Sequence, residues 1–316
     1  MRGDALQKHL PHGADVAGSR RIALVTAEAA RSLDEDLSPL ADALHHAGIE
    51  AHILAWDAAH DWSGFDMLLL RSTWDYAARL AEFVSWAERA SRAAPLVNAL
   101  PMLRWNIDKH YLGALASAGV PVVSTTFLEP GTDVAAVLAG FLDHECAELV
   151  IKPAIGAGSR DALRLRRADR AAAVAHAGRL LAAGRSALLQ PYLSRVDEEG
   201  ETALIFFGGE FSHSIRKAAL LKSGAGPTTG LFAAETISAR DAAPDELAVA
   251  RRALAAVPFA VPLYARVDLI RDERGQPRLL ELELIEPSLF LAHAPGAAAR
   301  FADCIRRFTP AAAVPL

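Results

Sequence analysis

The chain of 316 residues is 52% hydrophobic and 22% charged, with a formal net charge of −5, the profile of an ordinary globular protein long enough for two or three lobes. That charge gives no electrostatic reason to expect nucleic acid, and no apolar run reaches the roughly 18 residues of a membrane span. The two cysteines, Cys146 and Cys304, are far apart and have no CxxC partner, so a small-molecule partner in a reducing cytoplasm is the expectation, with a homo-oligomer left open.

Residues 1–20 mix Arg2, Asp4, His9, Pro11 and His12 without an apolar signal region and read as a flexible leader. From Arg21, apolar strands predicted at 22–27, 51–56 and 67–70 alternate with helical patterns. One such helix ends near Gly48, and another starts at Ser72 or Thr73 and continues through Leu80, Phe83, Val84 and Ala87. With a short strand at 95–98, residues 21–104 form a parallel, doubly wound unit whose functional loops belong at the carboxyl ends of its strands. Residues 105–190 make a second unit: a helix at 108–118 stopped by Gly119, strands at 121–127, 148–152, 162–165 and 187–192, and helices at 133–142 and 168–183. A third unit, 191–310, carries two hairpins. In one, 202–207 and 210–215 flank Gly208-Gly209; in the other, 264–270 and 277–284 flank Arg274-Gly275. The loop 223–227 and a helix at 245–256 lie between them, and a helix at 297–308 closes the chain.

The second hairpin carries the chemistry. Side chains alternate faces along a strand, so Arg266 and Asp268 share one face, as do Glu281 and Glu283. A two-residue loop at Arg274-Gly275 sets Asp268 opposite Glu281 and Arg266 opposite Glu283, leaving Val267, Leu269, Leu280, Leu282 and Leu284 for the core. Three carboxylates this close repel one another unless a cation sits among them, and Mg²⁺ suits a few carboxylate oxygens completed by water and phosphate. A solvated face with cross-strand ion pairs is the plainer alternative. In the first hairpin a two-residue loop at Gly208-Gly209 pairs Glu201 with Arg216.

The order of motifs resembles the ATP-grasp superfamily. Asp108-Lys109 opens a helix; Val150-Ile151-Lys152-Pro153 precedes Gly156 and Gly158; Leu189-Gln190-Pro191-Tyr192-Leu193 follows; then come Glu201, Arg216, Arg266, Asp268, Glu281 and Glu283. The resemblance covers about residues 100–290 and implies an α/β protein of ATP-grasp fold. An N-terminal doubly wound pre-ATP-grasp domain would precede two α+β lobes enclosing ATP, a small lid subdomain at 105–190 and a C-terminal subdomain at 191–310. It implies that Lys109 and Lys152 contact the phosphates under a glycine-containing lid from Ala154 to Ser159. Gln190, Pro191, Tyr192 and Leu193 would form the hinge that reads adenine, and Glu201 would take the ribose, with Asp197 and Glu198 as local competitors. Asp268, Glu281 and Glu283 match the magnesium ligands, although the third position is commonly Asn. Arg266 and Arg216 match arginines that face the γ-phosphate and the acyl phosphate.

A narrower similarity lies in Leu70-Arg71-Ser72-Thr73-Trp74-Asp75-Tyr76 together with Glu283-Leu284-Ile285-Glu286-Pro287-Ser288-Leu289-Phe290. These segments resemble the branch of cycloserine-forming ligases that close O-ureido-D-serine into a ring. In that reading Arg71 and Ser72 hold a substrate carboxylate and Trp74 or Tyr76 walls it, with inter-lobe packing as the alternative for Trp74. The implied activity is a Mg·ATP-dependent ligase that activates an amino-acid-like carboxylate as an acyl phosphate for attack by an amine. Delivery of the γ-phosphate to a hydroxyl on the same scaffold is the alternative. Outside these motifs the histidines form no HExxH or other dense metal pattern, and no G-x-S-x-G elbow is present.

Overall fold

A computed structural model describes residues 19–143, 147–224, 226, 231 and 235–309. The expected leader lies outside the described residues except for Ser19 and Arg20, as do Cys146 and most of the loop at 223–229.

Three sheets organise the chain. The first is parallel, in the order β2-β1-β3-β4, from β1 (Arg21–Thr26), β2 (Glu50–Ala55), β3 (Met67–Ser72) and β4 (Leu96–Val97). Alternate residues of its strands enter two cores. Ile22, Leu24, Met67 and Leu69 pack with α1 (Leu37–His46), whereas Ala23, Val25, Leu68 and Leu70 pack with α2 (Leu80–Ala93). A strand buried on both faces reads as a continuous apolar run, which is why Met67–Leu70 shows no alternation. The helix expected at Ser72 begins instead at Leu80. The strand continues through Arg71 and Ser72, both fully buried, and the hydroxyls of Thr26 and Ser72 lie 2.8 Å apart, so this polar pair finishes the sheet.

The second sheet is antiparallel, in the order β5-β8-β6-β7. Two short helices, α3 (Leu100–Asn106) and α4 (Tyr111–Ser117), lead into it where one helix was expected. The sheet comprises β5 (Thr126–Leu128), β6 (Glu148–Pro153), β7 (Leu163–Arg166) and β8 (Ala187–Pro191), backed by α5 (Val134–Asp143) and α6 (Arg170–Ala182). The strand expected at 121–127 shrinks to β5 because its first half bonds elsewhere. Val123 N donates to Leu279 O at 2.9 Å, and Leu279 N donates to Pro121 O at 2.8 Å.

The third sheet is antiparallel, in the order β11-β10-β9-β12-β13. It follows α7 (Val196–Glu199) and contains β9 (Glu201–Phe207), β10 (Glu210–Lys217), the short edge strand β11 (Ile237–Ala239), β12 (Tyr264–Arg271) and β13 (Pro277–Glu283). Two further helices, α8 (Pro244–Ala255) and α9 (Ala297–Arg307), cover opposite faces. Ala203, Ile205 and Phe207 of β9 share a core with β1, α1 and α9, so the first and third sheets are joined by continuous apolar packing. Asn98 locks that junction, donating to Tyr264 O (3.0 Å) and Leu284 O (2.7 Å) and accepting from Leu263 N (2.8 Å).

Candidate active site

Two bulges decide which side chains meet. In the β12–β13 hairpin the loop is Glu273-Arg274-Gly275, one residue longer than expected, with Gly275 in the left-handed region at φ 75°. An extra residue at Leu280 compensates, so Asp268 pairs with Glu281 and Arg266 with Glu283, as the shorter loop would also have placed them. Leu279 takes the core position expected of Leu280, which instead lines a cavity. In the β9–β10 hairpin Gly208 and Gly209 do form the tight turn, at φ 58° and 83°. There a bulge at Ser212 is uncompensated, and Glu201 pairs with Lys217 instead of Arg216. Arg216 therefore points to the opposite side, where it donates to Glu199 O (2.7 Å) and Glu198 O (2.8 Å). Its expected position facing the carboxylates is corrected: Lys217, not Arg216, lines the cavity.

The faces converge on a cavity of about 430 Å³ between the second and third sheets. Lys217 Nζ lies 2.9 Å from Asp268 Oδ2 and pairs closely with Glu201. Arg266 reaches Asp268 with Nε 2.9 Å from Oδ1 and Nη2 3.0 Å from Oδ2, and also pairs with Glu283. Lys109 Nζ sits 3.0 Å from Glu281 Oε1 and donates to Gly156 O at 2.8 Å, tying α4's approach to the glycine loop. Burial alone would raise these carboxyls, but Lys109 and Lys152 hold Glu281 below its ordinary range, and Arg266 with Lys217 does the same for Asp268. Burial outweighs Arg266 at Glu283, pushed up to about 7, and outweighs Lys217 at Glu201, pushed up to about 8.

Edge strand β13 is held in register from outside the sheet, since its free backbone groups need partners. Asn106 donates to Leu282 O and accepts from Leu284 N, both at 2.8 Å, and Tyr111 Oη accepts from Leu282 N at 3.0 Å. These bonds straddle Glu283 and fix the direction of the carboxylate row. Neither Asn106 nor Tyr111 was singled out from sequence, where one Asn in a helix carries no signal.

The remaining residues expected to hold the nucleotide all line this cavity. Lys152 enters from β6, where burial depresses its pKa while Glu281 pulls the other way. Gly158 and Ser159 take consecutive left-handed conformations, φ 60° and 59°, so the loop after Lys152 turns sharply with its small residues toward the cavity. Gln190, Pro191, Tyr192 and Leu193, at the end of the neighbouring strand β8, line it too. The Gln190 side chain donates to Thr125 Oγ1 at 2.8 Å, and Tyr192 stacks under Arg164, whose Cζ is 3.5 Å from the ring centre. Asp197, a competitor for the ribose, is instead held by Tyr192 and Arg164, while Glu198 is absent from the lining.

Of the three residues expected to hold substrate, only Trp74 lines the cavity. Arg71 is fully buried, donating to Pro287 O at 2.7 Å and lying 4.0 Å from Asp36. Ser72 is spent on Thr26. Both expectations are corrected: these side chains hold the backbone that shapes the cavity. Asp36 does so most directly, accepting from Leu289 N (2.6 Å), Phe290 N (3.1 Å) and Leu291 N (2.8 Å), a carboxylate clamp that sequence spacing could not reveal.

A parallel first sheet, two antiparallel sheets enclosing a cavity, and lysines facing a carboxylate-lined hairpin define the ATP-grasp class, and comparison with known proteins agrees. Residues 22–98 match the family described as the N-terminal domain of D-cycloserine synthetase DcsG. Cycloserine biosynthesis protein DcsG of Streptomyces lavendulae is 42% identical over 292 residues, covering 90% of this chain and 97% of the relative. The crystal structure of D-cycloserine synthetase DcsG superposes with a TM-score of 0.85 at 41% identity, covering 90% of this chain and 98% of the other. The ATP-grasp ligase PsnB, solved with a phosphomimetic variant of its minimal precursor, Mg and ADP, shares the fold at 15% identity, with a TM-score of 0.61 over 91% of this chain and 98% of its own. The chain thus has the fold of the ATP-grasp ligases. Within that class it belongs to the DcsG family.

Proposed function

We propose that this enzyme binds Mg·ATP between the second and third sheets and phosphorylates the carboxylate of an amino-acid-like substrate. A nitrogen of the same molecule then attacks the acyl carbon and expels phosphate, giving a ring of the cycloserine type. The observation that carries this reading is the convergence of Lys109, Lys217 and Arg266 on the paired carboxylates of β12 and β13 inside one cavity. Phosphoryl transfer is mainly a problem of positioning and charge neutralisation, and these cations stand where the developing negative charge would lie. Lys152 joins them from β6, Gln190 to Leu193 provide the adenine wall, and Glu201 faces the ribose.

Among the described residues no group of three or more His, Cys, Asp or Glu could by itself hold a metal ion. The oxygens of Asp268, Glu281 and Glu283 nevertheless suit Mg²⁺, which takes few protein ligands and completes its shell with phosphate oxygens and water. Bound there, the ion would draw charge off the transferring phosphate. We assign the chain to a pre-ATP-grasp unit at 21–104, a lid unit at 105–190 and a C-terminal unit at 191–310, acting in the cytoplasm. Among the described residues no helix is long and apolar enough to cross a membrane.

The test is to supply Mg·ATP with O-ureido-D-serine or other amino-acid carboxylates, with and without hydroxylamine. Inorganic phosphate is expected together with a hydroxamate or with cycloserine, the latter accompanied by the carbon dioxide and ammonia released when water removes the carbamoyl group of O-ureido-D-serine. Phosphate retained on the substrate would mark a phosphotransferase, and ADP release without amide or hydroxamate across a broad panel would overturn the ligase reading.

A further inference from the structure

Among the carboxylates that β9, β12, β13 and the segment directly after β13 bring to the cavity, all but one pair with a protein cation: Asp268 with Arg266 and Lys217, Glu281 with Lys109, Glu283 with Arg266, and Glu201 with Lys217. Glu286 is the exception. It lines the cavity at 8% exposure and hydrogen-bonds with the Tyr76 hydroxyl, and among the described residues no lysine, arginine or histidine forms an ion pair with it. Its backbone is fixed from both sides. Trp74 Nε1 donates to Glu286 O at 3.0 Å, and Arg71 Nη2 donates to the next carbonyl, that of Pro287, at 2.7 Å. A buried carboxylate without a counter-ion is costly, and a scaffold that holds one rigidly against a cavity offers it to a cation from outside.

We infer that Glu286, with Tyr76 and Trp74, is the subsite for the primary ammonium group of the substrate. The inference rests on the reading above that the substrate is amino-acid-like, and it names the group by which that class is selected. An ammonium is compact and supplies three N–H donors to a carboxylate that can only accept. Tyr76 occupies one lone pair of Glu286 and orients the rest, and Trp74, whose Nε1 holds the Glu286 carbonyl, lines the cavity beside them. The carboxylate to be activated would then lie toward Arg266, because Glu286 follows Glu283 by a single turn of chain and the metal-facing row begins there.

The test compares wild type with Glu286→Gln and Glu286→Asp on O-ureido-D-serine and on its analogue lacking the α-amino group. Glu286→Gln is expected to raise KM for the amino substrate on the order of 100-fold and to leave KM for the des-amino analogue and for ATP unchanged, with Glu286→Asp partly restoring recognition. Calorimetry on the ADP complex reads the subsite without turnover, and a matching melting temperature verifies that each variant folds. Ammonium-bearing compounds that bind through Glu286 without being turned over would sink the ligase reading and leave the subsite standing. Equal effects on amino and des-amino compounds, a changed Mg²⁺ or ATP requirement, or no preference for any of a panel of D- and L-amino acids over their des-amino counterparts would overturn the assignment.

Discussion

Replacing the two adjacent cations of β10 in turn, as Lys217→Met and Arg216→Met, separates the observed register from the one a simple hairpin would give. Lys217 is buried between Asp268, 2.9 Å away, and Glu201. Removing one partner of a buried pair costs about 3–5 kcal/mol because the other charge is left stranded. Asp268 keeps Arg266, and Glu201, already pushed up to about 8, takes a proton when Lys217 is gone, so the low end applies, about 3 kcal/mol. A second change, Glu201→Gln, makes that protonation unnecessary and should return part of the loss. Turnover should also fall, on the order of 10²- to 10³-fold, as expected for a deleted donor at a developing charge. Arg216 is half-buried and bonds only to the carbonyls of Glu198 and Glu199, so its removal should cost about 1 kcal/mol and leave turnover within a few-fold of wild type. Urea unfolding at pH 7 and ADP release under saturating Mg·ATP read the two effects. If Arg216→Met inactivates as thoroughly as Lys217→Met, or if Glu201→Gln fails to relieve the Lys217 variant, the bulge at Ser212 does not place these residues as described.

Other perturbations probe the metal face, the junction and a buried histidine. Asp268→Asn and Glu281→Gln should each lower turnover on the order of 10²-fold or more, whereas Glu283→Asn, which restores the residue common in the superfamily, should keep turnover but need more Mg²⁺. Titrating ADP release against Mg²⁺ checks this, and full activity of Glu281→Gln at low Mg²⁺ would move the metal elsewhere. Asn98→Ala leaves three buried backbone groups at the junction of the first and third sheets without partners, and should destabilise by about 3–5 kcal/mol in denaturant unfolding. Burial lowers His213 from 6.5 to about 4, and its Nε2 bonds to Leu289 O at 2.8 Å. The unfolded chain therefore takes up the proton first. This contribution is fully present above pH 6.5 and is lost as pH falls toward 4, amounting to up to about 3 kcal/mol. His213→Gln should flatten that slope, and an unchanged slope would count against a neutral buried His213.

The sequence by itself determined the class of fold and the pieces of the site that lie on continuous elements. Strand periodicity put Arg266 and Asp268 on one face and Glu281 and Glu283 on one face, and resemblance to the ATP-grasp superfamily picked out Lys109, Lys152, the glycine loop and the segment 190–193 in their order along the chain. The pairing of Asp268 with Glu281 was legible partly because two departures cancelled, a longer loop and an extra residue at Leu280. No such cancellation occurs in β10, where a single bulge turned the whole strand end over and exchanged Arg216 for Lys217, because side-chain direction has a period of two and one inserted residue inverts it. What only the tertiary structure decided is which polar groups are consumed in holding the frame. Arg71 and Ser72 look like binding residues along the chain and Asp36 carries no signal there, yet folding brings Pro287, Thr26 and the amides of Leu289 to Leu291 within bonding distance of them, and buried donors and acceptors take the partners nearest them. Among the described residues Glu286 is left without an ion-pair partner by the same packing, a property of three-dimensional surroundings that no spacing in the sequence encodes.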